Sequence, residues 1–315
     1  MKSINNIFFG LLISLSASLF AQSFKVIPLG VKGGLDESNL SAYMVAPINS
    51  NNYICLDAGT LYYGLNQAVK NGLFAKPAEQ VLRENIKGYL ISHAHLDHVA
   101  GLLMNAPADS HKTIYSSPFV IKAFKNKYFS WTNWANFADE GEKPQLGTYN
   151  YQTLTYNKEI ALKNTDLFIT TFELSHGNPY KSLAFLVRYK HSYILYLGDT
   201  GADRIEKSHD LKKLWIAIAP LIKSKQLKAI FIETSFPNSQ SNTKLFGHLK
   251  PILFFDEMQN LSRYTGKKAL HNFNIVITHR KPHANNEWII RQDLEKNNTL
   301  KLNLIFPKQA GLLKF

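Results

Sequence analysis

The chain has 315 residues, 45% of them hydrophobic and 12% aromatic, enough to bury a full core in one large domain and too apolar for a disordered chain. Its formal net charge of +13 suits nucleic acid, an anionic surface or an anionic substrate, but no block of five or six basic residues occurs, which argues against a nucleic-acid binder. Cys55 is the only cysteine, so an intramolecular disulfide is excluded and thiolates are left out of any metal site with several ligands.

At the N-terminus, Lys2, the short apolar run from Ile7 to Leu15 and the small residues among Ser16 to Ala21 read as an export leader over residues 1–21. The run is too short to span a membrane stably. Cleavage is expected after Ala21, with Ser18 as the alternative position, and removal of Lys2 lowers the net charge to +12. No later stretch of 18 or more residues is continuously apolar, so the expectation is an exported protein, periplasmic or secreted, with no membrane attachment after cleavage.

Residues 22–315 show no internal repeat, low-complexity tract or linker, and are read as one domain. Within them a short β-branched run ending on a polar or ionisable residue recurs from Tyr53 to Asp57, Gly88 to His93, Phe168 to His176, Tyr193 to Asp199, Ala229 to Glu233 and Asn274 to His279. Buried strands read as such runs, and strand ends are where α/β folds place functional loops, so six of these ends predict one shared site. Cys55, inside the first run, reads as a buried structural thiol. Helical spacing appears in Leu61, Leu65 and Val69 and in Leu211, Leu214, Ile218 and Leu221, and Pro251 opens a helix expected to reach about Tyr264. Strands alternating with helices give an α/β architecture. The segment from Tyr128 to Tyr156, with Trp131, Trp134, Phe137, Tyr149 and Tyr151 among polar, glycine and proline residues, breaks the rhythm and reads as an inserted loop or cap.

The chemistry concentrates at His93, His95, Asp97 and His98, four ligand-type side chains in six residues. In an extended turn His93 and His95 point the same way, toward one ion, while Asp97 and His98 open the following helix and face a neighbouring position. Imidazole and carboxylate suit zinc, manganese or iron, whereas calcium or magnesium would want mostly oxygen. Two ions need more than four ligands, and His176, Asp199 and His279 each follow a strand-like run. His283 is the competitor to His279. His111, His191, His209 and His271 lack such a context and read as surface or structural residues. His248, between Gly247 and Leu249 just before a helix, stands apart from them.

The order HxHxDH, His, Asp, His resembles the metallo-β-lactamase superfamily. More narrowly, SHAHLDHVAGLLM from Ser92, LGDT from Leu197, ETSF from Glu233, LFGHLKP from Leu245 and THRKP from Thr278 resemble class II 3′,5′-cyclic-nucleotide phosphodiesterases, over most of the chain from about Phe24 to Pro282. The resemblance implies an αββα sandwich with a dinuclear metal site at one edge. It gives His93, His95 and His176 to the first ion and Asp97, His98 and His279 to the second, with Asp199 bridging and Asp57 orienting ligands in a tight turn. The ions are expected to be zinc, with manganese or iron as alternatives. The implied reaction is hydrolysis of a 3′,5′-cyclic nucleotide, cyclic AMP first, to a nucleoside 5′-monophosphate by a hydroxide shared between the ions. Asp97 is counted among the catalytic groups, with His248 as general acid oriented by Glu233, and His248 and Lys281 as phosphate contacts. The aromatic segment from Tyr128 to Tyr156 is expected to supply part of a base pocket through Trp131 or Trp134. The competing function is another hydrolase of the same superfamily: a lactonase, thioester hydrolase or β-lactamase. The partner expected is a small cyclic nucleotide rather than nucleic acid, with a homodimer left open.

Overall fold

The computed structural model describes residues 22–315, so the leader assigned to residues 1–21 lies outside the described residues. Two seven-stranded sheets face one another. In the first, β1 (Phe24–Gly30), β2 (Ala42–Pro47), β3 (Tyr53–Leu56), β4 (Ile86–Leu90), β5 (Lys112–Ser116) and β6 (Tyr149–Thr153) lie side by side in chain order. The second places β7 (Glu159–Ala161), β8 (Phe168–Ser175), β9 (Lys181–Tyr189), β10 (Ser192–Leu197), β11 (Leu227–Glu233), β12 (Asn274–Thr278) and β13 (Asn303–Ile305) in the same simple order. The last strand, β14 (Leu313–Lys314), returns to the first sheet beside β1. Each sheet is antiparallel on one side and parallel on the other, where helices make the crossovers.

Period-two alternation sorts the side chains into layers. In β3, Tyr53 and Cys55 point to the helices on the outer face while Ile54 and Leu56 point inward. The inward set meets Ile169, Phe185, Val187, Ile194, Tyr196 and Phe231 of the second sheet in a continuous apolar middle layer. Helices Tyr62–Lys70, Ala78–Asn85, Leu96–Asn105 and Pro118–Ala123 supply buried residues to the outer face of the first sheet. Helices Asp210–Lys223, Pro251–Thr265 and Asn286–Lys296 do the same for the second. The result is the expected αββα sandwich, with the helices read from Leu61, Leu211 and Pro251 all present. Cys55 is fully buried, as expected of a structural thiol, and burial pushes its pKa up. No helix among the described residues is long and apolar enough to cross a membrane.

One boundary differs from the expectation. The segment from Tyr128 to Tyr156 is irregular only in its first part; Tyr149–Thr153 is β6, an edge strand running parallel to β5, and Tyr149 is a fully buried core residue. The strand was hidden because an edge position tolerates the polar residues Asn150 and Gln152, which mask the apolar alternation.

Candidate metal centre

Strands β3, β4, β8, β10, β11 and β12 end on one rim of the sandwich; Asp57, His93, His176, Asp199 and His279 come within three residues after their strands, and Glu233 is the last residue of β11. A rim at the carboxyl ends of strands is where α/β sheets gather a site, because each loop leaves its strand there free of the ladder. Asp57 and His279 take left-handed backbone conformations, φ 53° in both, which turn the chain sharply as it leaves β3 and β12. Such a conformation is disfavoured for residues other than glycine and persists where the surroundings hold it.

His93, His95 and His176 converge on a common point. His93 Nε2 lies 3.1 Å and His176 Nε2 3.2 Å from His95 Nδ1. The second cluster is Asp97, His98 and His279, with His279 Nε2 3.1 Å from Asp97 Oδ2. Asp199 lies between them. Its Oδ2 is 3.8 Å from both His93 Nε2 and His176 Nε2, 3.3 Å from His98 Nε2 and 3.2 Å from His279 Nε2. All seven residues taken from the sequence as ligands therefore lie together: His93, His95 and His176 form one close group and Asp97, His98 and His279 another, while Asp199 groups with His93 and His98 and also with His176 and His248.

The donor set fits metal ions on its own chemistry. Three imidazole nitrogens facing one another at hydrogen-bond distance cannot all be satisfied by protons, and His98 Nε2 is buried without a hydrogen-bond partner. Its other nitrogen, Nδ1, is held at 2.8 Å by Asp57 Oδ2. A ring fixed through one nitrogen by a carboxylate and left open at the other is the usual arrangement of a ligating histidine. His176 follows the same plan with the Gly247 carbonyl at 2.9 Å from Nδ1, and His279 with Ser235 Oγ at 2.9 Å. Burial lowers the pKa of His93 and His95 and brings His176 to about 4, which keeps their imidazoles neutral and able to ligate. Burial alone would also lower His98, but Asp199 and Asp57 outweigh it and hold that ring well above the usual range. The same burial would raise Asp199; His279, His98 and His248 outweigh it and keep the carboxylate ionised.

Beside the centre, Glu233 Oε1 lies 2.8 Å from His248 Nδ1, which Ser235 Oγ also approaches to 3.3 Å. The His248 ring stacks on His279 with centroids 5.2 Å apart. Lys281 Nζ sits 5.7 Å from the centre of the Phe236 ring, which meets His248 edge-on, so Lys281 and His248 share one side of the site. His283, the competitor to His279, is exposed, as are His111, His191, His209 and His271.

Sequence reading missed several residues that build the site. Ser92 donates from its backbone N–H and hydroxyl to Asp57, and Tyr196 donates to the same carboxylate at 2.7 Å. A Cβ at Gly33 would lie 2.1 Å from His279 Cε1, so only glycine lets that ring take its place. Tyr180 stacks on His95 with centroids 4.6 Å apart and an interplanar angle of 15°, and Phe119 meets Tyr180 edge-on. From the aromatic segment, the Tyr128 hydroxyl donates to the Ala94 carbonyl beside the ligand candidates, whereas Trp131 Nε1 donates to the Pro144 carbonyl 2.9 Å away within the segment.

The model of the family described as cAMP phosphodiesterases class-II matches residues 20–304. A probable 3′,5′-cyclic-nucleotide phosphodiesterase of Yersinia pestis is 35% identical over 317 residues, covering 96% of this chain and 92% of that protein. A 3′,5′-cyclic-nucleotide phosphodiesterase of Aliivibrio fischeri is 36% identical over 314 residues, covering 95% of each. Among solved structures, unliganded yeast PDE1 superposes with a TM-score of 0.81 at 22% identity, over 93% of this chain and all of that one. The metallo-β-lactamase-fold protein YhfI of Bacillus subtilis gives 0.63 at 16% identity, also over 93% of this chain and 100% of that one. The two structural likenesses establish the fold, and the family model together with the two bacterial relatives establishes that the chain belongs to the class-II cAMP phosphodiesterase family.

Proposed function

We propose that this enzyme hydrolyses 3′,5′-cyclic nucleotides, cyclic AMP first among them, to nucleoside 5′-monophosphates. The observation that carries the proposal is one carboxylate oxygen, Asp199 Oδ2, placed between two three-residue ligand sets. The all-imidazole set His93, His95 and His176 and the mixed set Asp97, His98 and His279 suit zinc, with manganese or iron as alternatives. When bound, a pair of such ions lowers the pKa of water toward neutrality and neutralises charge on a transferring phosphoryl group.

The chain's own residues supply the rest. Water supplies the oxygen that bonds to phosphorus as the bond between phosphorus and the ribose 3′ oxygen breaks, and that departing oxygen is a poor leaving group unless it is protonated. Glu233 fixes His248 through Nδ1, which leaves Nε2 as the nitrogen that delivers the proton. Lys281, on the same side, provides a positive contact for the phosphate. Asp57 acts one layer out, holding His98 through Nδ1. Residues 1–21 are proposed as an export leader, which would make this a periplasmic or secreted enzyme acting on external cyclic nucleotide. Product analysis tests the reaction: cyclic AMP incubated with metal-loaded protein should yield 5′-AMP alone. Formation of 3′-AMP, or no turnover of any cyclic nucleotide, would refute it.

A further inference from the structure

Three exposed apolar side chains stand beside an otherwise polar and charged centre. Leu96, between the ligand candidates His95 and Asp97, is 63% exposed. Phe246 is 71% exposed and adjoins Gly247, whose carbonyl holds His176. Phe119, 55% exposed, lies edge-on to Tyr180 at 5.4 Å, and Tyr180 is stacked on His95. A phenylalanine left half in water forgoes much of its burial energy, and an apolar rim around a polar floor is the usual lining of a small-molecule site. Phe246 is also held at φ 52°, a conformation that a bulky residue adopts only where its surroundings impose it.

The rim has an uneven chemistry. His248 and Lys281 lie together, linked through Phe236. Phe119 belongs to the flank of His95 and Tyr180, on the first ligand set. A cyclic nucleotide has the same unevenness, with an anionic cyclic phosphate at one end and a flat π-faced base at the other. On the reading of the site as a cyclic-nucleotide phosphodiesterase, we infer that Phe119, braced by Tyr180, is the platform for the base and sets the preference for nucleotides over base-free cyclic phosphates. Phe119 is the second residue of a helix capped by Ser117, whose side chain accepts from the Val120 N–H, so the platform rests on an ordered turn. Tyr180 is fixed at both ends, its ring on His95 and its hydroxyl accepting the Ala94 N–H at 3.3 Å.

The test compares kcat/KM for cyclic AMP with that for 1-O-methyl ribose 3′,5′-cyclic phosphate, which lacks a base, in metal-loaded wild type, Phe119→Ala, Phe119→Leu and Phe119→Tyr. Base stacking on an aromatic side chain is worth roughly five- to 150-fold. Phe119→Ala and Phe119→Leu should lose about tenfold or more on cyclic AMP and less than about twofold on the base-free substrate, with Phe119→Tyr restoring the wild-type ratio. Phe119 is exposed, so these variants keep the fold, and their metal content should match wild type. Equal losses on both substrates, or none on either, would overturn the inference while the phosphodiesterase reading of the site stands. Wild-type protein inactive on both would sink the phosphodiesterase reading and this inference with it.

Discussion

Replacing Asp57 by asparagine tests whether the layer behind the ligands tunes the metal centre. The Asp57 carboxylate is fully buried and takes four hydrogen bonds: Ser92 N–H at 2.7 Å on Oδ1, and on Oδ2 the Ser92 hydroxyl at 2.8 Å, the Tyr196 hydroxyl at 2.7 Å and His98 Nδ1 at 2.8 Å. Asparagine tolerates the left-handed backbone at this position and matches the shape of aspartate, so the turn after β3 should survive. Its carbonyl can replace Oδ2, but its amide must then face the Ser92 N–H, leaving two buried donors unsatisfied at a cost of about 1–3 kcal/mol each. The second effect, on metal binding, is loss of the negative charge behind His98, which makes that imidazole a weaker ligand. Changes of this kind cost about 10- to 100-fold in metal affinity, or about 1.4–2.8 kcal/mol. Competition against a chelator of known affinity, followed by metal analysis, measures the shift, and a thermal melt measures stability separately. The variant should melt lower yet remain folded, and excess metal should recover much of its activity. Metal affinity equal to wild type in a folded Asp57→Asn protein would refute the argument that Asp57 acts through His98.

His248→Ala should slow cyclic AMP hydrolysis by about a hundredfold or more, while hydrolysis of bis-nitrophenyl phosphate, whose leaving group needs no proton, falls only slightly and bound metal stays constant. Loss of metal in that variant would make His248 a ligand, since it also approaches Asp199 to 3.7 Å. Gly33→Ala places a Cβ 2.1 Å from the His279 ring, which Ser235 and Asp97 pin on either side, so metal analysis should show loss of one ion while circular dichroism stays native; retention of both ions would contradict the packing argument. Asp210 accepts from Lys181 at 2.9 Å and from Ser175 at 2.8 Å; burial would raise its pKa, but these bonds and the nearby Lys213 outweigh it and lower it. A carboxylate with a folded pKa below its unfolded value adds stability above the ordinary carboxylate pKa of about 3.9, and that stability is lost as pH falls through the lower folded value. Asp210→Asn should therefore be less stable than wild type at neutral pH, with the gap closing in melts taken toward acid, and a gap independent of pH would contradict the linkage.

Much of the centre was legible because chemistry and local structure coincide in the chain. His93, His95, Asp97 and His98 lie within six residues, and strand runs that end at or just before His176, Asp199, Glu233 and His279 mark one rim. The pairing of Glu233 with His248 was also anticipated from the segments that contain them. Other features depend on contacts between residues far apart in sequence, which periodicity cannot register. Tyr196 looks like one more apolar strand position until the opposite sheet brings Asp57 to its hydroxyl, 139 residues away. Phe119, in the helix that follows β5, and Tyr180, in the loop between β8 and β9, come from different sheets and meet ring to ring only in the folded chain, where Tyr180 also stacks on His95. The tryptophans at 131 and 134 drew attention through composition, which reports that aromatic rings are present and says nothing of where they pack. Gly33 sits in an unremarkable Lys-Gly-Gly sequence, and its importance appears only when the His279 ring is seen against it.

The most direct test of the central claim is a titration of metal-free protein with zinc, following bound metal per chain and cyclic AMP hydrolysis in the same samples. With two ligand sets sharing Asp199, wild type should bind two ions, with full activity arriving only as the second is bound, and Asp199→Ala should lose the binding of both and the activity with it. Full hydrolysis of cyclic AMP by protein shown by elemental analysis to hold no metal, or an Asp199→Ala variant with near-normal metal content and rate, would contradict the account.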